Sequence, residues 1–131
     1  MDYKKLMEER NQGNSFANFV GIKTTVIEQG YAEGELYLRE EHLNSHGMVH
    51  GGCLFSLADT VAGSAAKTRG KGTLTLSGDL KYLLPTKNIL SLLGIAREMK
   101  EGRYVNVYEV KIYDNLRQLV AMGNFEFFKE P

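Results

Sequence analysis

The sequence predicts an α+β fold in which one antiparallel sheet curls around one long central helix. Three observations predict it. Residues 51–68 carry Leu54, Leu57, Ala58, Val61 and Ala65 at helical spacing, with Phe55, Ala62 and Ala66 widening the apolar surface. Strand-like segments stand on both sides of that helix, two before it and four after it. The strands are joined by short turn signals, which demand antiparallel pairing and suggest that the last four form a meander. The 131 residues are read as one domain, 1–131, long enough to bury a core without staples.

Each element has its own signal. Residues 2–11 are rich in helix formers, with Leu6 and Met7 as the apolar side. "GNSFANFVG" follows as a turn or short helix that buries Phe16 and Phe19. Residues 20–28 alternate through Val20, Ile22, Thr24 and Val26, and Gly30 breaks the run. The second strand sets Leu36 and Leu38 against Tyr37 and Arg39. Residues 40–50 have no period and hold Asn44, Ser45 and Gly47, so they read as a loop. After the long helix, "TRGKGT" supplies a stop at Gly70. Leu74, Leu76, Leu80, Tyr82 and Leu84 then alternate strictly with Thr73, Thr75, Ser77, Asp79 and Lys81 until Pro85. Residues 88–99, 103–113 and 117–128 complete the strands, separated by "KEGR" and "DNLR". The apolar phase slips near Val107–Tyr108, which predicts a bulge there.

Composition narrows the function classes. Apolar residues make up 43% and charged residues 24%, and Lys+Arg equals Asp+Glu at 16 each, so no net field recruits nucleic acid. Cys53 is the only cysteine, which excludes an intrachain disulfide and fits a reducing compartment. The amino-terminal "MDYKKLMEERNQ" lacks the apolar core of a secretory signal. No apolar run approaches the ~20 residues needed to span a bilayer. The expectation is a soluble, cytoplasmic protein with neither membrane nor nucleic-acid partner.

One stretch, "HLNSHGMVHGGCLFSLADT" at residues 42–60, carries the candidate chemistry. Asp59 is the only charged side chain from Gly51 to Ala66. An unpaired buried carboxylate is costly, so Asp59 is either satisfied by a neighbour or serves as a general base or nucleophile in a dry pocket. Gly51 and Gly52 stand where the helix begins, where unpaired amides and the helix dipole favour a carbonyl oxygen gaining negative charge. A bare Gly-Gly pair also serves to turn a tight corner. His50 is placed to hydrogen-bond a carbonyl or to orient the loop, and Asn44 offers an amide donor or a turn. His42, His46 and His50 are four apart, but the residues between them argue loop, so no metal site is expected. Cys53 lies in the first helical turn with no histidine clearly paired to it, so it reads as a small buried residue.

This stretch closely resembles the signature of hotdog-fold acyl-CoA thioesterases of the phenylacetate-pathway (PaaI) type. The matching positions are Asn44, Gly47, His50-Gly51-Gly52 and Leu57-Ala58-Asp59. "LSGDLKYLLPT", residues 76–86, resembles the strand after the helix in that family, with Pro85 in place. The resemblance implies a hotdog fold, a homodimer with a continuous sheet and shared active sites, and often a homotetramer. It implies hydrolysis of an acyl-CoA substrate with no cofactor. By the same likeness Asp59 is the catalytic carboxylate, Asn44 positions the water or the carbonyl, and His50 with the Gly51 or Gly52 amide polarises the thioester. A strand hydroxyl, Thr75 or Ser77, assists in some members. Arg103 sits where a basic residue often meets nucleotide phosphates, with Lys67, Arg69 and Lys71 as lesser candidates. Met48, Phe55 and Tyr82 are expected to line the acyl pocket. An acyl-CoA dehydratase or hydratase, or a non-catalytic acyl-CoA binder, remain as alternatives, since a fold does not fix a function.

Overall fold

The computed structural model describes residues 1–130. Two short helices open the chain, α1 (Tyr3–Gly13) and α2 (Ser15–Val20). Asp2 caps α1 by accepting from the Lys5 amide, and Asn14 caps α2 at the Ala17 amide. Gly21 closes α2 in the left-handed conformation, φ 100°, with its amide donating to the Ala17 carbonyl. That cap keeps Val20 helical and delays the first strand to Lys23. The remaining elements are β1 (Lys23–Glu28), β2 (Tyr31–Tyr37), α3 (Gly51–Ala66), β3 (Leu74–Tyr82), β4 (Ser91–Glu101), β5 (Val105–Asp114) and β6 (Leu119–Phe128). Phe16 and Phe19, expected to be buried, are 60% and 81% exposed, because the short α2 buries Ala17 instead.

All six strands form one antiparallel sheet in the order β1-β2-β4-β5-β6-β3. The expected four-strand meander is therefore only β4-β5-β6. The reason lies in residues 83–90. Leu83 and Leu84 stay bonded to the Val120 carbonyl, and Pro85 then ends the pairing. The chain crosses to the far side, where the Leu38 amide donates to the Leu90 carbonyl and β4 starts beside β2. The expected bulge is real but falls on the opposite strand. Met99 is the extra residue of β4, set against Val107 and Tyr108. β5 itself alternates without a break, with Asn106 buried among its inward positions.

The concave face of the sheet holds α3, the hotdog arrangement of one long helix in a wrapped sheet. Leu57, Ala58, Val61, Ala62 and Ala65 are fully buried against Leu36, Ala96, Val110 and Ile112. The helix comes close because Gly34 and Gly94 pair directly beneath Val61. A Cβ on Gly34 would stand 2.7 Å from Val61 Cγ2, and one on Gly94 3.2 Å away. The helix is not buried all round, however. Gly52, Phe55, Ser56 and Asp59, at spacings of three and four, form an uncovered or half-covered stripe along its first half.

The strand beside that stripe is open as well. β3 is the sheet edge beyond β6, and of its residues only Leu80 is partly buried. Leu74 and Leu76 are 68% and 55% exposed. The strict alternation in the sequence does not survive either, because Leu76 is an extra residue between Thr75 and Ser77.

Candidate active site

The helix N-terminus is built from the loop that precedes it. Asn44 Oδ1 accepts from the amides of His46 (2.9 Å) and Met48 (3.1 Å), and the Asn44 amide donates to the Met48 carbonyl. The loop expected over 40–50 is thus a tied turn, preceded by a 3₁₀ turn at Glu40–His42. Because Oδ1 faces the loop, the Asn44 side-chain nitrogen Nδ2 points away from it and, unlike the backbone amide, makes no hydrogen bond among the described residues. His42 is buried and structural, with Nδ1 accepting from the Arg39 amide and Nε2 facing the Val20 carbonyl.

His50 is the N-cap of α3, and its Nδ1 accepts from the Gly52 amide at 2.8 Å. Two consequences follow from that one bond. The neutral ring carries its proton on Nε2, an exposed donor. The Gly52 amide is already spent, so the free amide at the start of the helix is that of Gly51. Tyr82, from the end of β3, fixes Gly51 by donating its hydroxyl to the Gly51 carbonyl at 3.0 Å. A Cβ on Gly51 would lie 3.3 Å from the Tyr82 ring, so glycine keeps this corner open. Asn44, Met48, Gly51 and Tyr82 line one cavity of about 360 Å³ with Leu54 and Leu83. On the other side of the same helix end, His50 and Cys53 line a second cavity, of about 390 Å³, with Phe16, Phe19 and Val20. Burial pushes the Cys53 thiol up to about 11, against a smaller opposing pull from Arg39, so it is no thiolate at neutral pH.

Asp59 lines neither of these cavities. It lies two turns further along α3, half-buried, and accepts from the Thr75 hydroxyl at 2.8 Å. The bulge at Leu76 makes that bond possible. It places Thr75 opposite inward-facing Phe127, on the helix side of the sheet. Ser77, one step beyond, pairs with Glu126 on the outer side and donates to its carboxylate at 2.6 Å. The dry pocket expected around Asp59 is not formed by one chain, because the stripe and β3 leave its side open. Arg103 stands at the β4–β5 turn, its guanidinium 5.3 Å from the Tyr104 ring centroid. Arg69 is committed to Glu98 (2.9 Å) and Glu101 (3.5 Å), and Lys67 donates to the Lys71 carbonyl.

One residue near Asp59 escaped the sequence reading. Arg10 of α1 reaches α3, donating from Nη2 to the Thr60 carbonyl (2.9 Å) and from Nε to the Ser64 hydroxyl (3.0 Å). Burial lowers its pKa, and the Asp59 carboxylate pulls it back up. Arg10 lies four and three residues beyond Leu6 and Met7, on their apolar face, which was the available signal.

The polar groups thus form two clusters at different heights of one helix. Gly51 and Asp59 are eight residues apart, about 12 Å along the axis. Comparison with known proteins supplies the frame for this arrangement. PaaI acyl-coenzyme A thioesterase of Escherichia coli is 27% identical over 111 residues, covering 85% of this chain and 79% of that one. Its solved structure superposes with a TM-score of 0.92 at 23% identity, covering 98% of this chain and 94% of that one. A mutant of the phenylacetic acid degradation protein PaaI of Thermus thermophilus has a TM-score of 0.84 at 29% identity, over 88% and 99% of the two chains. A Streptococcus mutans protein solved with acetyl-CoA gives 0.76 at 29% identity, over 84% and 91%. Residues 46–121, more than half of the chain, match the family described as the thioesterase superfamily. With this family match and this fold, the chain belongs to the thioesterase superfamily, as a hotdog protein of the PaaI type.

Proposed function

We propose that this thioesterase hydrolyses acyl-coenzyme A to the free acid and coenzyme A, in sites each shared by two chains of a homodimer. The observation that carries the reading is the separation of the two polar clusters along α3. A carbonyl held at the Gly51 amide is out of reach of the Asp59 side chain of its own chain. A two-fold axis that sets two α3 helices antiparallel brings Asp59 and Thr75 of one chain to Asn44, His50 and Gly51 of the other. The surfaces that such an axis would cover are the open ones: Phe55, Leu74 and Leu76, with the unpaired edge of β3 extending the sheet into its mate. Phe16 and Phe19 offer further apolar surface for pairing dimers into a tetramer.

In this site the Gly51 amide and the Nε2 proton of His50 polarise the thioester carbonyl. Asn44, with its side-chain nitrogen Nδ2 free among the described residues, positions the water or the carbonyl. Asp59, oriented by Thr75, takes a proton from the attacking water, or attacks the carbonyl itself to give an anhydride that water then opens. In the first route the water oxygen bonds the acyl carbon, the carbon–sulfur bond breaks, and the proton taken by Asp59 passes to the leaving thiolate. In the second the Asp59 carboxylate bonds the acyl carbon as coenzyme A leaves as thiolate, and water then breaks the anhydride, forming a second carbon–oxygen bond and supplying the proton. At each attack on the thioester the negative charge develops on the oxygen at Gly51. Arg103, exposed at the end of the sheet nearer Thr75, faces the nucleotide phosphates. The relatives support the substrate class: the E. coli relative is named an acyl-coenzyme A thioesterase, and the S. mutans neighbour was solved with acetyl-CoA. Among the described residues no helix is long and apolar enough to cross a membrane. A cytoplasmic location is part of the proposal.

The test is release of free thiol from a panel of aryl-, short- and long-chain acyl-CoAs, with Asp59→Asn alongside. The wild type should release thiol from at least one of them. Asp59→Asn should still bind that substrate and lose roughly 10²–10⁴ in kcat. A dehydratase or a pure binder would release no thiol, and undiminished kcat in Asp59→Asn would remove Asp59 from the chemistry.

A further inference from the structure

We propose that Tyr82 and Thr86, at the two ends of the segment that leaves β3, are positioning residues for the Gly51 amide. The inference rests on the reading of that amide as a donor to the thioester carbonyl. The need for such residues follows from the sequence. The helix α3 opens with Gly51 and Gly52, and glycine is the poorest helix former short of proline. Helix ends are also where helices fray. A donor to a developing oxyanion must instead be held in place before the reaction begins.

The two residues bracket the peptide that carries the donor. Before it, the Val49 amide donates to the hydroxyl (3.1 Å) and the carbonyl (3.4 Å) of Thr86. After it, the Gly51 carbonyl accepts from the Tyr82 hydroxyl at 3.0 Å, and the Tyr82 ring lies flush with Gly51, where a Cβ would stand 3.3 Å from Cζ. Between these ties, the His50 amide donates to the His42 carbonyl and the Gly52 amide to the His50 ring. Of the four consecutive amides from Val49 to Gly52, that of Gly51 alone is free among the described residues. Its direction is set by its own peptide unit. The His50 carbonyl accepts from the Cys53 and Leu54 amides, which turns the Gly51 N–H back out of the helix.

The ties are themselves firmly based. Tyr82 pairs with buried Ala121 of β6, so its ring faces α3. Leu83 and Leu84 both donate to the Val120 carbonyl, Pro85 fixes the backbone that follows, and Thr86 is buried. A bridge between Met48 and Lys87 joins the same two segments once more. The crossing that leaves β3 for β4 therefore also clamps the start of α3. Because the Tyr82 hydroxyl is spent on the backbone, only its ring is offered to the cavity that it lines with Asn44 and Leu54.

The test is Tyr82→Phe in the full-length protein, read in two ways. Against the acyl-CoA that the thiol-release panel selects, kcat should fall roughly 10- to 100-fold with KM within about twofold, because the ring and its contacts remain. Without substrate, the Gly51 amide resonance should gain an exchange broadening that the wild type lacks, while that of Ala65, at the far end of α3, stays sharp. Unchanged kcat in a folded Tyr82→Phe overturns the inference. So does a loss confined to KM, which would make the hydroxyl a substrate contact. A Gly51 resonance as sharp as that of the wild type overturns it as well. If Tyr82→Phe does not fold, Thr86→Val takes its place in both measurements, and Thr86→Ser should recover most of the loss. No loss in Thr86→Val then overturns the inference. A wild type that releases no thiol from any acyl-CoA would instead sink the proposed function, and the Gly51 resonance would still decide whether Tyr82 holds the amide.

Discussion

Thr75 and Ser77 look interchangeable in the sequence: two hydroxyls, two residues apart, on the same face of an alternating strand. The fold separates them. The extra residue at Leu76 turns Thr75 toward α3 and leaves Ser77 with Glu126. Thr75→Val should therefore lower kcat roughly 10- to 100-fold, the worth of one hydrogen bond to a charged acceptor. Ser77→Ala should stay within about twofold of wild type, as surface changes do. Equal losses from the two variants would mean that Thr75 does not orient Asp59. This choice was not legible in the sequence, because a bulge belongs to the ladder between two strands and not to one strand's pattern. The same holds at the glycine pair. Either amide was a candidate, and the His50 cap, which takes Gly52, singles out Gly51. Asn44, His50 and Asp59 could be put forward as candidates from the sequence alone, because their types and offsets sit in one continuous stretch. Thr75 approaches Asp59 from β3, and no local spacing records that.

Among the elements, α3 and its seat on the sheet were the most legible, since a helix with one deep apolar face has few places to go. What the sequence did not display is how close the helix sits. The Gly34–Gly94 pair opens the space for Val61, whose β-branched side chain has essentially one rotamer in a helix. Gly34→Ala should therefore destabilise the fold by ~1–3 kcal/mol, read as a lower melting temperature or denaturant midpoint. The Lys23 carbonyl, 3.2 Å from the same added carbon, blocks the other way out. A smaller side chain at 61 should rescue it, so Gly34→Ala with Val61→Ala should lose less than the two single losses summed. Strict additivity would mean that the two positions do not share the contact. Strand order was less legible than strand existence. Alternation located β3, but only the absence of a tight turn across 83–90 decides that β3 pairs with β6 and not with β4. The Phe residues of α2 were misjudged for a related reason: a six-residue helix buries one side only, and that side is Ala17.

At the scale of the whole molecule, the open stripe on α3, the bare edge of β3 and the two separated polar clusters call for the same solution. A single chain leaves Asp59 half-covered on the side where a water-excluded reaction needs walls. In the proposed dimer, a second copy related by a two-fold axis would supply those walls and the missing oxyanion donors together. This can be tested without knowing the acyl group in advance, using whichever substrate the thiol-release panel selects. Asp59→Ala and Asn44→Ala, each inactive alone, are co-expressed with different tags, and the mixed species is purified. In a shared site, Asp59 of one chain works with Asn44 of the other. A mixed dimer then has one site carrying both lesions and one site carrying none. Purified mixed dimers should reach about half of wild-type activity, and an unsorted population, in which half of the dimers are mixed, about 25%. Sites confined to one chain give a different result, because every site in a mixed dimer then carries one lesion and stays as inactive as its parent. Mixed dimers verified by tag content that show no recovery would place the whole site within one chain, and Asp59 would then need a partner other than the Gly51 amide.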